Sequence, residues 1–322
     1  MSKTVTILSI GKATQDVFLL SEKNFAAHGY GGDKYEQLPL GNKLELDDVV
    51  FATGGNVTNA AVTFARQNLN SKYMWALGAE LASEAILNDL DKEGVETSGV
   101  VQDEKYRASY STILLANNGE RTILNFHGTK LASDGHPLDL NEIQAADWVY
   151  LSSLGDIKLL AKIITLAAQY GTNIMLNPAG TELQEKVKLK SLLEDVEILA
   201  VNKEEAKKLV SGESLEELVR HATNYCPVVI VSDGPKGVVA TDSKEIVRAG
   251  MYEDVPVVDR TGAGDAFGSG FLSQWVQGKS LSESIIFASA NSTSVVTKIG
   301  AKDGILHQNV KLHHMPIDTK PF

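Results

Sequence analysis

The residues best suited to chemistry lie late in the chain, in Val257-Val258-Asp259-Arg260-Thr261-Gly262-Ala263-Gly264-Asp265-Ala266-Phe267. A short apolar run ends in a charged residue, two glycines bracket an alanine, and an aspartate opens a stretch of helical spacing. Successive N–H groups at a helix N-terminus can converge on a phosphate, and the helix dipole favours negative charge there. Asp265 falls in the first turn, with Phe267, Phe271, Leu272, Trp275 and Val276 on one apolar face. The same residues also suit an ordinary helix start with an acidic first-turn residue. Two commoner phosphate motifs do not apply. Gly262, Gly264 and Gly268 read as GxGxxxG, one residue off the dinucleotide fingerprint, and no βαβ unit follows. Gly278-Lys279-Ser280 ends like a Walker A loop, but Ser273 stands where that loop needs its first glycine.

Four other groups have the chemistry of a binding site. Asp16 follows the apolar run 4–10 and Gly11, just beyond the end of an expected strand. Ligands of open α/β sheets bind outside the strand C-termini, so a carboxylate there can accept hydrogen bonds from hydroxyls; it can equally cap its own turn. Thr53-Gly54-Gly55-Asn56-Val57-Thr58-Asn59 leads into an expected helix over 60–68. Its glycines allow close approach, and Asn56 and Asn59 place two amides one turn apart, as a polyol would require or as a Gly turn with an Asn cap would provide. Asn202 and Glu205, three apart after an expected strand at 197–201, suit a hydrated Mg²⁺ and equally a helix-capping pair. Ser232-Asp233-Gly234-Pro235-Lys236-Gly237 follows an expected strand at 228–231 and either wraps a phosphate or makes a plain type I or II turn. A transfer of phosphate to a hydroxyl needs these parts and little covalent chemistry.

On these residues the sequence resembles the PfkB, or ribokinase-like, family of carbohydrate kinases over nearly its whole length. Asp259-Arg260-Thr261-Gly262-Ala263-Gly264-Asp265 is similar to the family's C-terminal signature, and Gly54-Gly55-Asn56 through Asn59 to its N-terminal one. Asn202 with Glu205 matches its NxxE motif, and Ser232, Gly234 and Gly237 match its T-x-G-x-x-G loop with serine in place of threonine. The resemblance implies a three-layer α/β/α fold with a mostly parallel central sheet and a small β-sheet lid. It implies that Asp265 is the general base and that the N–H groups of Gly262, Ala263 and Gly264 stabilise the transferring phosphoryl. Asp16, Gly55, Asn56 and Asn59 would hold the acceptor. Asn202 and Glu205 would organise Mg²⁺ through water, and Ser232, Gly234, Gly237 and Asn291 would line the ATP site. Asp259 and Thr261 match the region where many members bind K⁺. Two departures concern the acceptor. Leu176-Asn177-Pro178-Ala179-Gly180 stands where many sugar kinases show D-x-N-x-R, and Leu151-Ser152-Ser153-Leu154-Gly155 lacks the sugar-contacting glutamate of ribokinases.

The elements that must position these residues follow from periodicity. Strands are expected at 4–10, 44–51, 72–77, 148–151, 173–176, 197–201 and 228–231. Helices are expected at 80–93, 156–170, around 181–193, at 204–209 and at 215–225. Residues 28–43 read as a loop. The runs 109–116 and 121–126 flank Asn117-Asn118-Gly119-Glu120, a hairpin signal. Strands alternating with helices imply parallel βαβ units covered on both faces. No linker or repeat divides them, so one domain over 1–322 is expected, with a lid formed by approximately 17–52 and 108–126.

Composition bounds the partners. The net charge of -11 argues against a nucleic-acid surface and an anionic membrane. Cys226 is the single cysteine, which leaves no disulfide, and it reads as a small core residue. No apolar run is long enough for a membrane span and no signal peptide is recognisable, so a cytoplasmic enzyme is expected. The reading is ATP-dependent phosphorylation of a hydroxyl, a primary one, on a small sugar or sugar derivative. Its rivals are a nucleoside kinase similar to adenosine kinase, and a catalytically silent sugar- or nucleotide-binding regulator. The lid strands could also pair between two subunits as a homodimer.

Overall fold

The computed structural model describes residues 4–25, 28–30, 33–116, 121–252 and 255–322. The first third of the chain runs β1 (Thr6–Ile10), β2 (Thr14–Leu20), β3 (His28–Tyr30), β4 (Asp33–Tyr35), β5 (Asp48–Gly54), α1 (Asn56–Arg66), β6 (Asn70–Met74), β7 (Ala76–Leu77), α2 (Leu81–Lys92) and β8 (Val101–Gln102). The middle runs β9 (Ser109–Leu115), β10 (Arg121–Phe126), β11 (Trp148–Ser152), α3 (Ile157–Tyr170), β12 (Asn173–Asn177), α4 (Thr181–Gln184), α5 (Lys186–Leu192), β13 (Ile198–Asn202), α6 (Lys203–Leu209) and α7 (Leu215–Ala222). The last third runs β14 (Val228–Ser232), β15 (Val238–Thr241), β16 (Glu245–Ala249), α8 (Ala263–Trp275), α9 (Leu281–Val295) and β17 (Ile317–Pro321).

Among the described residues, nine strands form one sheet in the order β17-β16-β15-β14-β13-β12-β11-β1-β6. The strands from β6 to β14 are parallel, and β15 to β17 extend the sheet antiparallel. Side-chain alternation explains why helices cover both faces. Leu8, Ile10, Val149, Leu151, Ile174 and Leu176 point to the layer that holds α3, while Ile7, Trp148, Tyr150 and Met175 point to the layer of α8 and α9. Register places the ends of neighbouring strands together: Ile10 pairs with Leu151, Ser152 with Asn177, and Asn202 with Ser232. A row of polar residues therefore stands along the C-terminal edge, where open α/β sheets bind ligands.

A second sheet has the order β10-β9-β2-β5. β2 pairs with β9 in parallel and with β5 antiparallel, and β9 pairs with β10 antiparallel. It exposes Phe51, Leu124 and Phe126. The turn 117–120 of its β9–β10 hairpin lies outside the described residues.

Several expected boundaries move. Asp16 is not in a turn after β1; the chain re-enters a strand at Thr14, so Asp16 lies inside β2, cross-strand from Ala52 and Ser111. The strand expected at 44–51 starts at Asp48, and β6 stops at Met74, after which Ala76–Leu77 pairs with Val101–Gln102 instead. The helix expected around 181–193 breaks at Glu185, whose ψ of 50 leaves the helical region. Residues 28–43 contain the short β3–β4 pair. The hairpin β15–β16 and the terminal strand β17 carry no turn motif that stands out in the sequence, and β17 is stabilised by pairing with β16. Cys226 is buried and free, and burial pushes its thiol up to about 12. No helix among the described residues is long and apolar enough to cross a membrane.

Candidate active site

Four helices of this fold begin in different ways, and the difference marks the site. Helices α6, α7 and α9 each start with a complete capping box, from Asn202 with Glu205, Ser214 with Glu217 and Ser280 with Glu283. Their first N–H groups are thereby satisfied. Helix α8 starts at Gly262, whose φ of 77 suits glycine, and no side chain caps it. Ala263 N–H turns back to the Arg260 carbonyl at 3.4 Å, while among the described residues the N–H groups of Gly262, Gly264 and Asp265 meet no acceptor. A Cβ on Gly264 would enter open space, whereas one on Gly262 would strike Ala301. The bare helix start is thus open on one side and wedged on the other.

Asp259 holds this loop in place. Its carboxylate is fully buried and accepts hydrogen bonds from Thr261 N–H at 3.0 Å, Thr261 Oγ1 at 2.8 Å and Gly300 N–H at 3.0 Å. Arg121 Nε, from β10 of the second sheet, lies 4.0 Å from Asp259 Oδ1 and is buried without a hydrogen-bond partner. A guanidinium from the second sheet therefore stands beside the α8 start.

Asp265 lies at the floor of the cleft. Asn59 Nδ2 donates to its Oδ2 at 2.8 Å, which joins the α1 and α8 motifs across 206 residues of sequence. Burial pushes the carboxyl up to about 6, partly offset by the Asn59 bond. Asn59 Oδ1 is buried with no partner, as is the hydroxyl of Tyr150, which carries the influence of the Asp265 charge. Asp16 is 6% exposed, and burial likewise raises its carboxyl to about 6, opposed by a hydrogen bond from Ser111 and the charge of Lys302. Gly54 passes so close to Asp16 that a side chain there would collide with the carboxylate. Gly55 has φ 104, and a Cβ added there would lie 2.6 Å from the Lys12 carbonyl oxygen. Both glycines of the pair are fixed by space, and Gly55 by its φ as well.

Asn56 extends the polar wall. Its Nδ2 donates to Ser152 Oγ at 3.0 Å, Ser152 Oγ donates to Asn177 Oδ1 at 3.2 Å, and Asn177 Nδ2 donates to the Ala200 carbonyl at 2.7 Å. These are the two places where the sequence departs from the ribokinase pattern, and they form one chain of neutral groups. Ser153 follows at φ 47, a strained conformation for a residue with a side chain.

The other half of the cleft is a cavity of about 440 Å³ lined by Ser232, Gly234, Gly237, Ala263, Gly264 and Phe267 among others. An adjoining cavity of about 910 Å³ shares Pro235, Gly250, Met251 and Thr293 with it. Asn202 pairs with Ser232 one strand away. Glu205 accepts from Asn202 N–H at 2.9 Å in the capping box, and burial raises its carboxyl. Asn291 does not join the cavity wall. Its amide donates to the Ala266 carbonyl and accepts from Leu306 N–H, both at 2.8 Å, so it ties α9 to α8; Ser289, Ser292 and Thr293 face the cavity instead.

Sequence reasoning did not single out Ser111, Arg121, Tyr150 or Lys302. Lys302 is buried and donates to Thr53 Oγ1 at 2.7 Å and Asp89 Oδ2 at 2.9 Å, which fastens the 300–305 segment behind Gly54. Ser111 was legible only through strand register, and the others only through long-range packing.

A family model described as pfkB family carbohydrate kinase matches residues 7–308. The chain belongs to that family, and it is a kinase that transfers phosphate to a sugar. It is 27% identical over 277 residues to a ribokinase of Haemophilus influenzae, which covers 82% of this chain and 88% of the relative. It is 29% identical over 272 residues to a 2-dehydro-3-deoxygluconokinase of the same organism, over 74% of this chain and 85% of that one. The Arabidopsis thaliana ribokinase solved with ribose and ATP shares the fold at TM-score 0.75 and 21% identity, over 94% of this chain and 95% of that one.

Proposed function

We propose that this chain transfers the γ-phosphoryl group of ATP to a hydroxyl, a primary one, of a small sugar derivative, with Asp265 as the general base. The observation that carries the reading is the half-buried Asp265 carboxylate, held by Asn59 at an uncapped helix start. Asn59 occupies Oδ2, which leaves Oδ1 to receive the proton. The acceptor oxygen bonds to the γ-phosphorus as its proton passes to Asp265. The bond from that phosphorus to the β–γ bridging oxygen breaks, and its electron pair leaves on ADP. The unpartnered N–H groups of Gly262, Gly264 and Asp265 then face the charge on the transferring phosphoryl, with Ala263 N–H only weakly engaged at 3.4 Å by Arg260, and Arg121 adds a cation at the same loop. Asp16, Gly55, Asn56 and Asn59 hold the acceptor, and the unpartnered Asn59 Oδ1 is an acceptor that a substrate hydroxyl would satisfy.

Ser232, Gly234 and Gly237 line the ATP cavity with α8. Among the described residues no cluster of three His, Cys, Asp or Glu could cage a metal. Asn202 and Glu205 would hold a hydrated Mg²⁺ through its waters. Bound there, Mg²⁺ would neutralise charge on the transferring group. K⁺ would lie against the Asp259–Thr261 loop, whose carboxylate supplies charge, and we assign it no chemical step. The second sheet acts as a lid, since it carries Asp16 on β2 and Arg121 on β10 to the cleft. Its exposed Phe51, Leu124 and Phe126 suit a homodimer through the lid. Light scattering is expected to give twice the chain mass, and a monomer at working concentration would remove that element.

The test is ADP release with sugars, sugar derivatives and adenosine, for the native chain and Asp265→Asn. Turnover of the variant is expected to fall by about 10² or more with its fold intact. Near-normal turnover in a folded variant would sink the assignment of the base, and adenosine as the sole acceptor would make the chain a nucleoside kinase.

A further inference from the structure

The acceptor end of the cleft is acidic at its floor and basic at its far wall. Lys12 follows the end of β1, and its Nζ lies 3.5 Å from where a Cβ on Gly155 would stand, which places the ammonium against the 152–155 loop. Gly155 N–H donates to Glu182 Oε1 at 2.7 Å; Glu182 is 1% exposed, and its Oε2 is buried without a partner. Lys130, in the segment after β10, is a second cation near enough to act on Lys12. Burial and the Lys130 charge lower the Lys12 amine's pKa, and Glu182 opposes them. Among the described residues neither lysine makes a hydrogen bond or an ion pair. The one carboxylate that acts on Lys12 is thus already bonded to main chain, and a second ammonium stands near it.

The wall beside them is neutral. Asn56, Ser152 and Asn177 bond to one another and place no carboxylate there to repel an anion. A half-buried lysine with its charge unpaired is costly, and a ligand that brings the counter-charge recovers that cost. We propose that the acceptor carries an anionic group, a carboxylate or a phosphate, remote from the hydroxyl that is phosphorylated, and that Lys12 with Lys130 binds it. This rests on the kinase reading given above. Asp16 and Asp265 at the floor then orient the acceptor by repelling its charged end. Lys12 would be a specificity residue with no part in the chemical step.

The experiment uses the full chain with ATP and Mg²⁺. The neutral probes are D-ribose and D-fructose, the carboxylates D-gluconate and 2-keto-3-deoxy-D-gluconate, and the phosphate ester D-ribose 1-phosphate. An anionic probe is expected to exceed the neutral sugars in kcat/KM by about tenfold or more, the worth of one charge-assisted hydrogen bond; which arm responds identifies carboxylate or phosphate. Lys12→Met should raise KM for that probe by about tenfold, with KM for ribose moving less than about twofold, and Lys12→Arg should recover most of the loss. Lys130→Met provides the same readout if Lys12→Met does not fold. Preference for a neutral sugar, or an unchanged KM for the anion in both lysine variants, would overturn the proposal while leaving the kinase intact. ADP release with none of the probes, neutral or anionic, would remove it together with the kinase reading.

Discussion

The two ends of the cleft are built from different materials. At the nucleotide end the wall is main chain and small or apolar side chains: Gly234, Gly237, Ala263, Gly264, Phe267 and Val296. At the acceptor end, side chain meets side chain, in the pairs Asn59–Asp265, Asn56–Ser152 and Ser152–Asn177. Recognition by main chain requires particular glycines at fixed spacing, because only a bare, correctly turned backbone can approach the phosphates. Recognition by side chain can be altered one residue at a time. Under the proposed function, the reaction class would therefore be concentrated in one short motif, while the acceptor would be specified by residues scattered over several strand ends.

Substitutions at the two ends should separate kcat from KM. The larger effect is expected from Gly262→Val. Its φ of 77 disfavours a side chain, and the new group would strike Ala301, so the N–H groups of the helix start would be displaced. Loss of such donors typically lowers kcat by about 10²–10³. Steady-state kinetics should show the loss with every acceptor, and a variant that keeps native kcat would place the anion site elsewhere. The smaller effect is expected from Ser152→Ala, which breaks the bonds to Asn56 and Asn177. A net hydrogen-bond worth of about 0.5–1.5 kcal/mol predicts KM for the acceptor raised roughly 2- to 12-fold with KM for ATP unmoved. Equal changes in both KM values would show that Ser152 does not belong to the acceptor end alone.

The same contrast explains what was legible in the sequence. The parallel sheet, its covering helices and the α8 start follow from local periodicity and from glycines whose conformation the structure uses. From sequence Asp16 is a candidate site residue just beyond the first strand, with a turn cap as the alternative; the lid is expected to begin at 17, whereas its strand already starts at Thr14. Asn291 is expected to line the nucleotide site but spends both ends of its amide on tying the α8, α9 and 306 segments together. Ser152 and Asn177 stood out as departures, yet their mutual bond spans strands that are neighbours only in the sheet. Arg121 and Lys302 reach the site from 138 and 43 residues away respectively, measured to Asp259, and such reach has no local pattern. The edge strand β17 and its neighbour β16 depend on pairing that only the completed sheet supplies.

The pH dependence of kcat/KM with the preferred acceptor tests the central claim most directly. Asp265 accepts a proton only when ionised, and burial raises its carboxyl to about 6, so activity should fall on the acid side as Asp265 becomes protonated. Asp16, raised to about 6 as well, steepens the same limb. The account predicts an acid limb with an apparent pKa near 6. Activity that stays constant down to about pH 4.5, where an ordinary aspartate is still ionised, would contradict it.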